Sequence, residues 1–166
     1  MKSIETRFKL LVLDIDGTLL NKDGTLSAED KKALALVAAS GIKVSLSSGR
    51  SALACLPIID QLSLDGCHTS FDGALVSNPK LNQEVYAEPI NDRLVERIIE
   101  FIHSNDINLE LYSDKRLFIE KETWTADVRR QVFSIQPVIG DFAKIERGER
   151  IIKGTIVARS PEEKAK

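Results

Sequence analysis

The feature that most constrains the fold is a short apolar run at residues 8–13, with the sequence F-K-L-L-V-L, that ends directly in acidic residues and glycine. A run of this length and composition is typical of a strand buried on both faces of a parallel sheet. An Ala- and Leu-rich stretch predicts a helix over residues 27–40, and residues 42–46 predict a second strand. This order of strand, helix and strand with a short crossover indicates a doubly wound α/β sheet.

Local signals fix the ends of the predicted helices. Ser27 is placed to cap the first helix at its N-terminus, and Gly41 stands where a C-terminal cap belongs. Residues 51–60 predict a second helix, which we expect Pro57 to kink or shorten because proline lacks a backbone donor.

The pattern changes beyond about Gly66, and we expect two domains, residues 1–83 and residues 84–166. The segment F-D-G-A at residues 71–74 predicts a tight turn between short strands. The later predictions are a helix at 92–104, a hairpin from 109–112 and 117–120, a helix at 125–132 and a strand at 151–158. No internal repeat is evident.

Charge and composition exclude several classes of function. The chain has 23 basic and 25 acidic residues, for a net charge of −2, which argues against nucleic acid or an anionic membrane as the main partner. No apolar run approaches the ~20 residues that span a bilayer. Residues 1–9 mix Lys, Glu and Arg and lead directly into the apolar strand, so we expect no signal or transit peptide. Cys55 and Cys67 lack metal-ligand spacing, so we expect free thiols and a cytoplasmic protein. The oligomeric state cannot be read from the sequence.

Two carboxylates, Asp14 and Asp16, follow the first predicted strand two residues apart. Ligands of α/β sheets bind beyond the carboxyl ends of the strands, which is where these side chains are expected. Like charges held close together favour a cation between them, and Mg²⁺ suits a site built from oxygen atoms. One carboxylate could attack phosphorus while the other serves as general acid and base. An isolated D-x-D-G is often only an acidic turn, but its position after a buried strand favours a catalytic site.

The neighbouring residues are suited to hold phosphate. Gly17 and Thr18 allow backbone N–H groups to approach phosphate oxygens. Ser48 and Gly49 end the second predicted strand and could donate a hydroxyl and an amide hydrogen bond. Arg50 could meet the substrate phosphate or pair with an acidic neighbour, and the sequence leaves both open.

These residues resemble a known family. The segment D-I-D-G-T-L-L at residues 14–20 looks like motif I of the haloacid dehalogenase superfamily. S-S-G-R at 47–50 resembles motif II of its Cof-type branch, and F-D-G-A at 71–74 is similar to that branch's Asn-Gly-Ala segment. The resemblance implies a Rossmann-like core with an inserted α/β cap of the C2B type. It further implies that Asp14 is the nucleophile and a Mg²⁺ ligand. Asp16 would be the general acid and base and a second Mg²⁺ ligand through its backbone carbonyl.

The sequence departs from the family pattern at its C-terminal end. Cof-type phosphatases carry a motif III lysine and a G-D-x-x-N-D motif after the cap, and this sequence ends at Lys166 without the latter. Lys153 lies in a predicted cap strand and is not expected to be the motif III lysine. We therefore expect the N-terminal part of a longer enzyme, with an unpaired sheet edge, an uncovered apolar face, weak Mg²⁺ binding and little turnover by this chain alone.

The leading hypothesis is a Mg²⁺-dependent phosphatase that hydrolyses a small phosphorylated metabolite, such as a sugar phosphate, through an aspartyl-phosphate. The alternative is an inactive fragment of the same family with a binding or regulatory role. A receiver-like module, phosphorylated on Asp14 only as a signal, is a third possibility. The cap-like insertion argues against it, since a receiver is a single small α/β unit.

Overall fold

A computed structural model describes residues 8–145 and 148–158. The chain divides into two compact units, the first ending at Ala87 and the second beginning at Glu88. Among the described residues, the first unit has two sheets and the second has one, and each unit has its own hydrophobic core. No helix within the described ranges is long and apolar enough to cross a membrane.

The first unit begins with a parallel β-α-β arrangement. Strand β1 (Leu10–Leu13) pairs with β2 (Lys43–Leu46), and α1 (Ala28–Ala39) connects the two strands. Helix α2 (Ala52–Gln61) follows β2. These elements confirm the predicted order of strands and helices.

The predicted caps of these helices are also present. The Ser27 hydroxyl accepts from the Asp30 amide at 2.9 Å, which satisfies one of the N–H groups that the first turn of α1 leaves without a helical partner. Gly41 has φ +85°, the left-handed conformation that follows a helix end. Helix α2 runs to Gln61, four residues beyond Pro57, so the expected shortening is wrong.

One face of the β1–β2 sheet forms the core of this unit. Leu11 and Leu13 on β1 face the same way as their register partners Val44 and Leu46. This face packs against apolar residues of both helices: Leu34 and Val37 from α1, and Cys55, Ile58 and Ile59 from α2. On the opposite face, Leu10 and Val12 are 55% and 51% exposed, so the expected uncovered apolar face is present.

An antiparallel sheet completes the first unit. It has the order β3-β4-β5, with β3 at His68–Ser70, β4 at Leu75–Asn78 and β5 at Gln83–Ala87. A 3₁₀ turn at Phe71–Gly73 joins β3 to β4, as the F-D-G-A segment predicts. Strand β5 pairs with β4, so the division between the units lies after this strand, whereas the sequence places it between residues 83 and 84.

The second unit is a four-stranded mixed sheet with the order β8-β7-β6-β9. Its elements are, in chain order, α3 (Asp92–Ser104), β6 (Leu109–Tyr112), β7 (Leu117–Ile119), α4 (Trp124–Phe133), β8 (Val138–Ile139) and β9 (Lys153–Ile156). Helix α3 places Val95 and Ile102 against Leu109 and Leu111 of β6. The predicted hairpin is confirmed as β6–β7, and the predicted last strand is confirmed as β9.

Candidate active site

The loop after β1 presents its polar side chains because two apolar neighbours anchor it. Ile15 is fully buried and Leu19 is nearly so, and both belong to the core of the first unit. The amides of Leu19 and Leu20 donate to the Ile15 carbonyl at 3.0 and 2.9 Å, which closes a tight turn. Gly17 within this turn has φ +78°, a conformation that favours glycine. The alternation leaves Asp14, Asp16 and Thr18 exposed at the carboxyl end of β1.

Asp14 is the first residue after β1. The Thr18 hydroxyl donates to Asp14 Oδ2 at 3.1 Å, so one carboxylate oxygen is oriented by the turn itself. Asp14 is an exposed residue, so its carboxylate can be reached from solvent.

Asp16 is held by Arg50 from the loop after β2. Arg50 Nε donates to Asp16 Oδ2 at 2.8 Å and Nη2 donates to Oδ1 at 2.6 Å, a bidentate pair. The hydrogen bonds from Arg50, together with its positive charge, hold the pKa of Asp16 below its ordinary value despite partial burial. Of the two partners that the sequence leaves open for Arg50, the structure shows the acidic neighbour.

The loop that contains Ser48 is hydrogen-bonded to β1 and to β3. The Ser47 amide continues the β1–β2 pairing by donating to the Leu13 carbonyl at 2.8 Å. The Ser48 amide donates to the Thr69 carbonyl at 3.1 Å, and the Ser48 hydroxyl accepts from the Arg50 amide at 3.2 Å. Because a hydroxyl that accepts one bond can still donate its proton, Ser48 keeps a donor for an anionic ligand.

Asp72 is a residue near this loop that the sequence reasoning left without a role. A Cβ atom built on Gly49 would lie 2.6 Å from Asp72 Oδ1, so a larger residue at position 49 would require the Asp72 carboxylate to shift. The Asp72 amide donates to the Ser48 carbonyl at 3.1 Å, and Asp72 adopts φ +56°. The available signal was its position two residues after β3, whose Thr69 forms a parallel bridge with Ser47 at the end of β2, because side chains gather at the carboxyl ends of parallel strands.

The Arg50–Asp16 ion pair joins the predicted site residues of the loop after β1 to those of the loop after β2. A depression of about 540 Å³ lies beside the first loop, lined by Asp16, Gly17 and Thr18 and by residues of the following turn. Asp14, Ser48 and Gly49 are not part of its lining.

The donor set fits a weakly held Mg²⁺ ion. Mg²⁺ commonly takes one or two protein carboxylates, with water and substrate phosphate completing its shell. Asp14 offers a carboxylate of this kind, whereas both side-chain oxygens of Asp16 are engaged by Arg50, which leaves its backbone carbonyl as its contribution. The described part of the chain contains no group of three or more His, Cys, Asp or Glu side chains that could hold a metal.

Comparison with known proteins decides the family. The model of the haloacid dehalogenase-like hydrolases matches residues 11–165. The chain belongs to this family. Its fold is a partial version of the family's α/β fold: a haloacid dehalogenase-like hydrolase from Bacteroides thetaiotaomicron superposes with a TM-score of 0.81 at 23% identity, covering 92% of this chain and 59% of that one. The predicted resemblance and fold class are thus confirmed.

Two curated relatives in Bacillus subtilis are named as phosphatases. Phosphatase YwpJ is 27% identical over 110 residues, which are 66% of this chain and 38% of that protein. The 5-amino-6-(5-phospho-D-ribitylamino)uracil phosphatase YwtE is 28% identical over 115 residues, which are 66% of this chain and 37% of that protein. The chain thus spans well under half the length of the curated relatives it matches.

Proposed function

We propose that this chain carries the nucleophile and the acid/base of a Mg²⁺-dependent phosphatase that hydrolyses a small phosphorylated metabolite, such as a sugar phosphate. The observation that carries the proposal is the arrangement at the end of β1, where Asp14 is exposed and Asp16 is paired with an arginine from the adjacent loop. The names of YwpJ and YwtE support it, and the second names a phosphorylated ribityl compound as substrate.

In the first step, an Asp14 oxygen attacks the phosphorus of the phosphomonoester. A P–O bond to Asp14 forms and the bond to the leaving oxygen breaks, which gives an aspartyl-phosphate. Asp16 donates its proton to the leaving oxygen, so the alcohol departs neutral. In the second step, Asp16 removes a proton from water as the water attacks phosphorus, and phosphate leaves with Asp14 restored as a carboxylate.

The phosphoryl group is held by donors from both loops. Backbone N–H groups at Gly17 and Thr18, the Ser48 hydroxyl and the Gly49 amide are its proposed partners. Donors aimed at the charge of a transition state are typically worth about 10²–10³ in rate each. A bound Mg²⁺, held through Asp14 and the Asp16 carbonyl, would supply neutralisation of the phosphate charge.

The Arg50–Asp16 pair must open during this cycle. Asp16 has to carry a proton to act as an acid, and the Arg50 guanidinium favours its ionised form. A substrate phosphate offers the guanidinium an alternative anionic partner with matching bidentate geometry. We therefore assign Arg50 a phosphate contact in the substrate complex, in exchange for its contact with Asp16.

The second unit is proposed to be part of the cap that selects the substrate. It begins at Glu88 and forms a separate α/β layer with its own core. Caps of this kind exclude water and contact the part of the substrate that does not react. Lys153 lies in β9 of this unit, in keeping with its assignment as a cap residue.

Hydrolysis of p-nitrophenyl phosphate in the presence of Mg²⁺ tests the proposal. We expect slow release of p-nitrophenol by the purified chain, and Asp14→Asn is expected to abolish it because an amide cannot attack phosphorus. Asp60→Asn is the matched control, since the Asp60 side chain is 65% exposed and lies in the last turn of α2, at the end of that helix remote from Arg50. Release that survives Asp14→Asn would contradict the proposed nucleophile.

A second candidate function is a phosphate-binding or regulatory fragment without turnover. It is favoured by the pairing of both Asp16 oxygens with Arg50 and by the lack of a three-carboxylate group among the described residues. It predicts that inorganic phosphate binds, and that Arg50→Met weakens this binding, while Asp14-dependent hydrolysis is undetectable. Calorimetry with phosphate, run beside the hydrolysis assay, distinguishes the two functions.

A further inference from the structure

The turn after β3 holds the loop that follows β2 through its backbone. The Ser48 amide donates to the Thr69 carbonyl at 3.1 Å, and the Asp72 amide donates to the Ser48 carbonyl at 3.1 Å. A further bond runs from the Phe71 amide to the Arg50 carbonyl at 2.9 Å. These main-chain hydrogen bonds fix where residue 72 lies relative to Ser48 and Arg50.

The backbone conformation of this turn is unusual. Phe71 and Asp72 have φ +52° and +56°, in the left-handed region that residues other than glycine seldom adopt. Such a conformation persists only where the surrounding structure imposes it, and it is common at ligand sites. Phe71 is 4% exposed, so its buried ring anchors the turn, whereas Asp72 is an exposed residue.

The Asp72 carboxylate lies against Gly49. Its Oδ1 is 2.6 Å and its Oδ2 is 3.2 Å from the position that a Cβ atom of residue 49 would take. Because the N and Cβ atoms of one residue are about 2.5 Å apart, Asp72 Oδ1 lies within about 5 Å of the Gly49 nitrogen. The Gly49 amide and the Ser48 hydroxyl are the phosphate donors proposed for this loop. A carboxylate is thus placed at the edge of the proposed phosphate site.

A carboxylate in this position changes which phosphate esters the loop favours. It repels a phosphate dianion, and two unit charges about 5 Å apart at a protein surface interact strongly enough to change an affinity about tenfold. A ligand that carries a protonated amine beside its phosphate adds an attraction that opposes this repulsion. The two oxygens of a carboxylate offer about four acceptor positions, so Asp72 can accept from such an amine in addition to its contacts within the protein.

We propose that Asp72 is a specificity-determining residue, which selects phosphomonoesters that carry a protonated amine two carbon atoms from the ester oxygen. In such an ester the nitrogen lies about 5 Å from phosphorus, so the phosphate can bind the Gly49 amide while the ammonium group donates to the Asp72 carboxylate. This selection rests on the proposed function, because it requires the substrate phosphate to bind the loop of Ser48 and Gly49.

Two ligands that differ by one amine test this selection. 2-Aminoethyl phosphate and ethyl phosphate carry the same phosphate group, and the amine of the first is protonated at neutral pH. ¹H–¹⁵N NMR titrations of the full 166-residue chain, without Mg²⁺, measure both dissociation constants with the Gly49 amide as the reporter. We expect the chain to bind 2-aminoethyl phosphate about tenfold more tightly than ethyl phosphate.

Asp72→Asn is expected to remove this preference. The amide has the same shape without the charge, and asparagine adopts the left-handed region more readily than most residues, so the turn is retained. The variant binds ethyl phosphate more tightly and 2-aminoethyl phosphate more weakly than the original chain does. Asp60→Asn is the matched control, because the Asp60 side chain is 65% exposed in the last turn of α2, and it should leave the preference unchanged.

Equal binding of the two esters by the unaltered chain overturns the role of Asp72, and this result needs no variant. A preference that survives Asp72→Asn, or that Asp60→Asn also removes, overturns it as well. If neither ester shifts the Gly49 amide resonance, the phosphate contact that the selection requires is absent and the role is again overturned.

Hydrolysis of p-nitrophenyl phosphate is measured separately from this binding. Asp14-dependent hydrolysis without a preference between the two esters supports the proposed function and contradicts the role of Asp72. A preference that Asp72→Asn removes, without Asp14-dependent hydrolysis, supports the role of Asp72 and contradicts the proposed turnover.

Discussion

The Arg50 guanidinium lies beside the Asp16 carboxylate and forms a bidentate ion pair with it. The Arg50 side chain is 16% exposed, so the pair is shielded on the arginine side and open on the aspartate side. An ion pair of this exposure contributes about 1 kcal/mol or less to stability. The contact therefore matters more for the protonation state of Asp16 than for the fold.

Replacing Arg50 by methionine is expected to raise the pKa of Asp16 in the ligand-free protein. The hydrogen bonds and the charge that lower this pKa are both removed, while the partial burial that raises it remains. Carboxyl ¹³C NMR across a pH titration measures the change. Asp23, whose pKa is lowered by hydrogen bonds from Thr25, is the internal control and should titrate as before. If the pKa of Asp16 is the same in Arg50→Met, the ion pair with Arg50 does not lower it, and the prediction is wrong.

His68 is expected to make the stability of the first unit depend on pH. It is 4% exposed, and its Nδ1 accepts from the Leu46 amide at 3.2 Å, which requires a neutral ring at that nitrogen. Burial, aided by the charge of Lys80, lowers the pKa of His68 below its ordinary value. The unfolded chain therefore binds the proton first as pH falls.

The free energy of unfolding is expected to fall as the pH drops below the unfolded-state pKa of about 6.5, by about 1.4 kcal/mol per unit until the lower folded-state pKa is reached. Well above pH 6.5 the contribution of His68 is constant, because the ring is neutral in both states. Urea unfolding at a series of pH values measures this slope. His68→Asn keeps an acceptor for the Leu46 amide without a titrating group, and should flatten the curve in this range.

At the scale of elements, β6 and α4 of the second unit are joined by a buried ionic contact. Arg129 Nη2 donates to Glu110 Oε2 at 2.8 Å, and the Tyr112 hydroxyl donates to the same oxygen at 2.8 Å. The Glu110 side chain is only 5% exposed. Burial and the neighbouring Glu110 raise the pKa of Tyr112, so the phenol remains a donor.

Arg129→Met is expected to destabilise the second unit by about 3–5 kcal/mol, because it leaves the Glu110 carboxylate buried without its cation. The double variant Glu110→Met and Arg129→Met is expected to lose much less, since no uncompensated charge remains. Guanidinium unfolding, followed by far-UV circular dichroism, measures both. A double variant no more stable than Arg129→Met would contradict this account.

Some helices and strands could be predicted from local sequence signals alone, and others could not. Helix α1 could be predicted with its ends because Ser27 and Gly41 are local signals that need no tertiary partner. Strand β5 could not be predicted, because it is mostly exposed and its sequence does not alternate between apolar and polar residues. It forms through its pairing with β4, which is irregular at Val76 and Ser77. Strand β8 has two exposed residues and depends on β7 in the same way.

At the scale of the whole molecule, the sequence predicts the carboxyl edge of the parallel strands as the place where Asp14, Asp16 and Arg50 gather. It could not predict the partner of Arg50, because a phosphate and a carboxylate offer the guanidinium similar geometry. Nor could it place Asp72 against Gly49, since that approach depends on how the turn after β3 packs against the Ser48 loop.

The position of β9 has a consequence for folding during synthesis. Strand β9 pairs with β6, more than forty residues earlier in the chain, and Ile151 and Ile152 bind the backbone at Ile90 and Tyr112. Strand β6, one of the two inner strands of the second unit's sheet, therefore lacks its neighbour β9 until Ile156 has emerged from the ribosome. The strand pairings that the structure shows in the first unit are all made by Ala87, so this unit can begin to fold before the second.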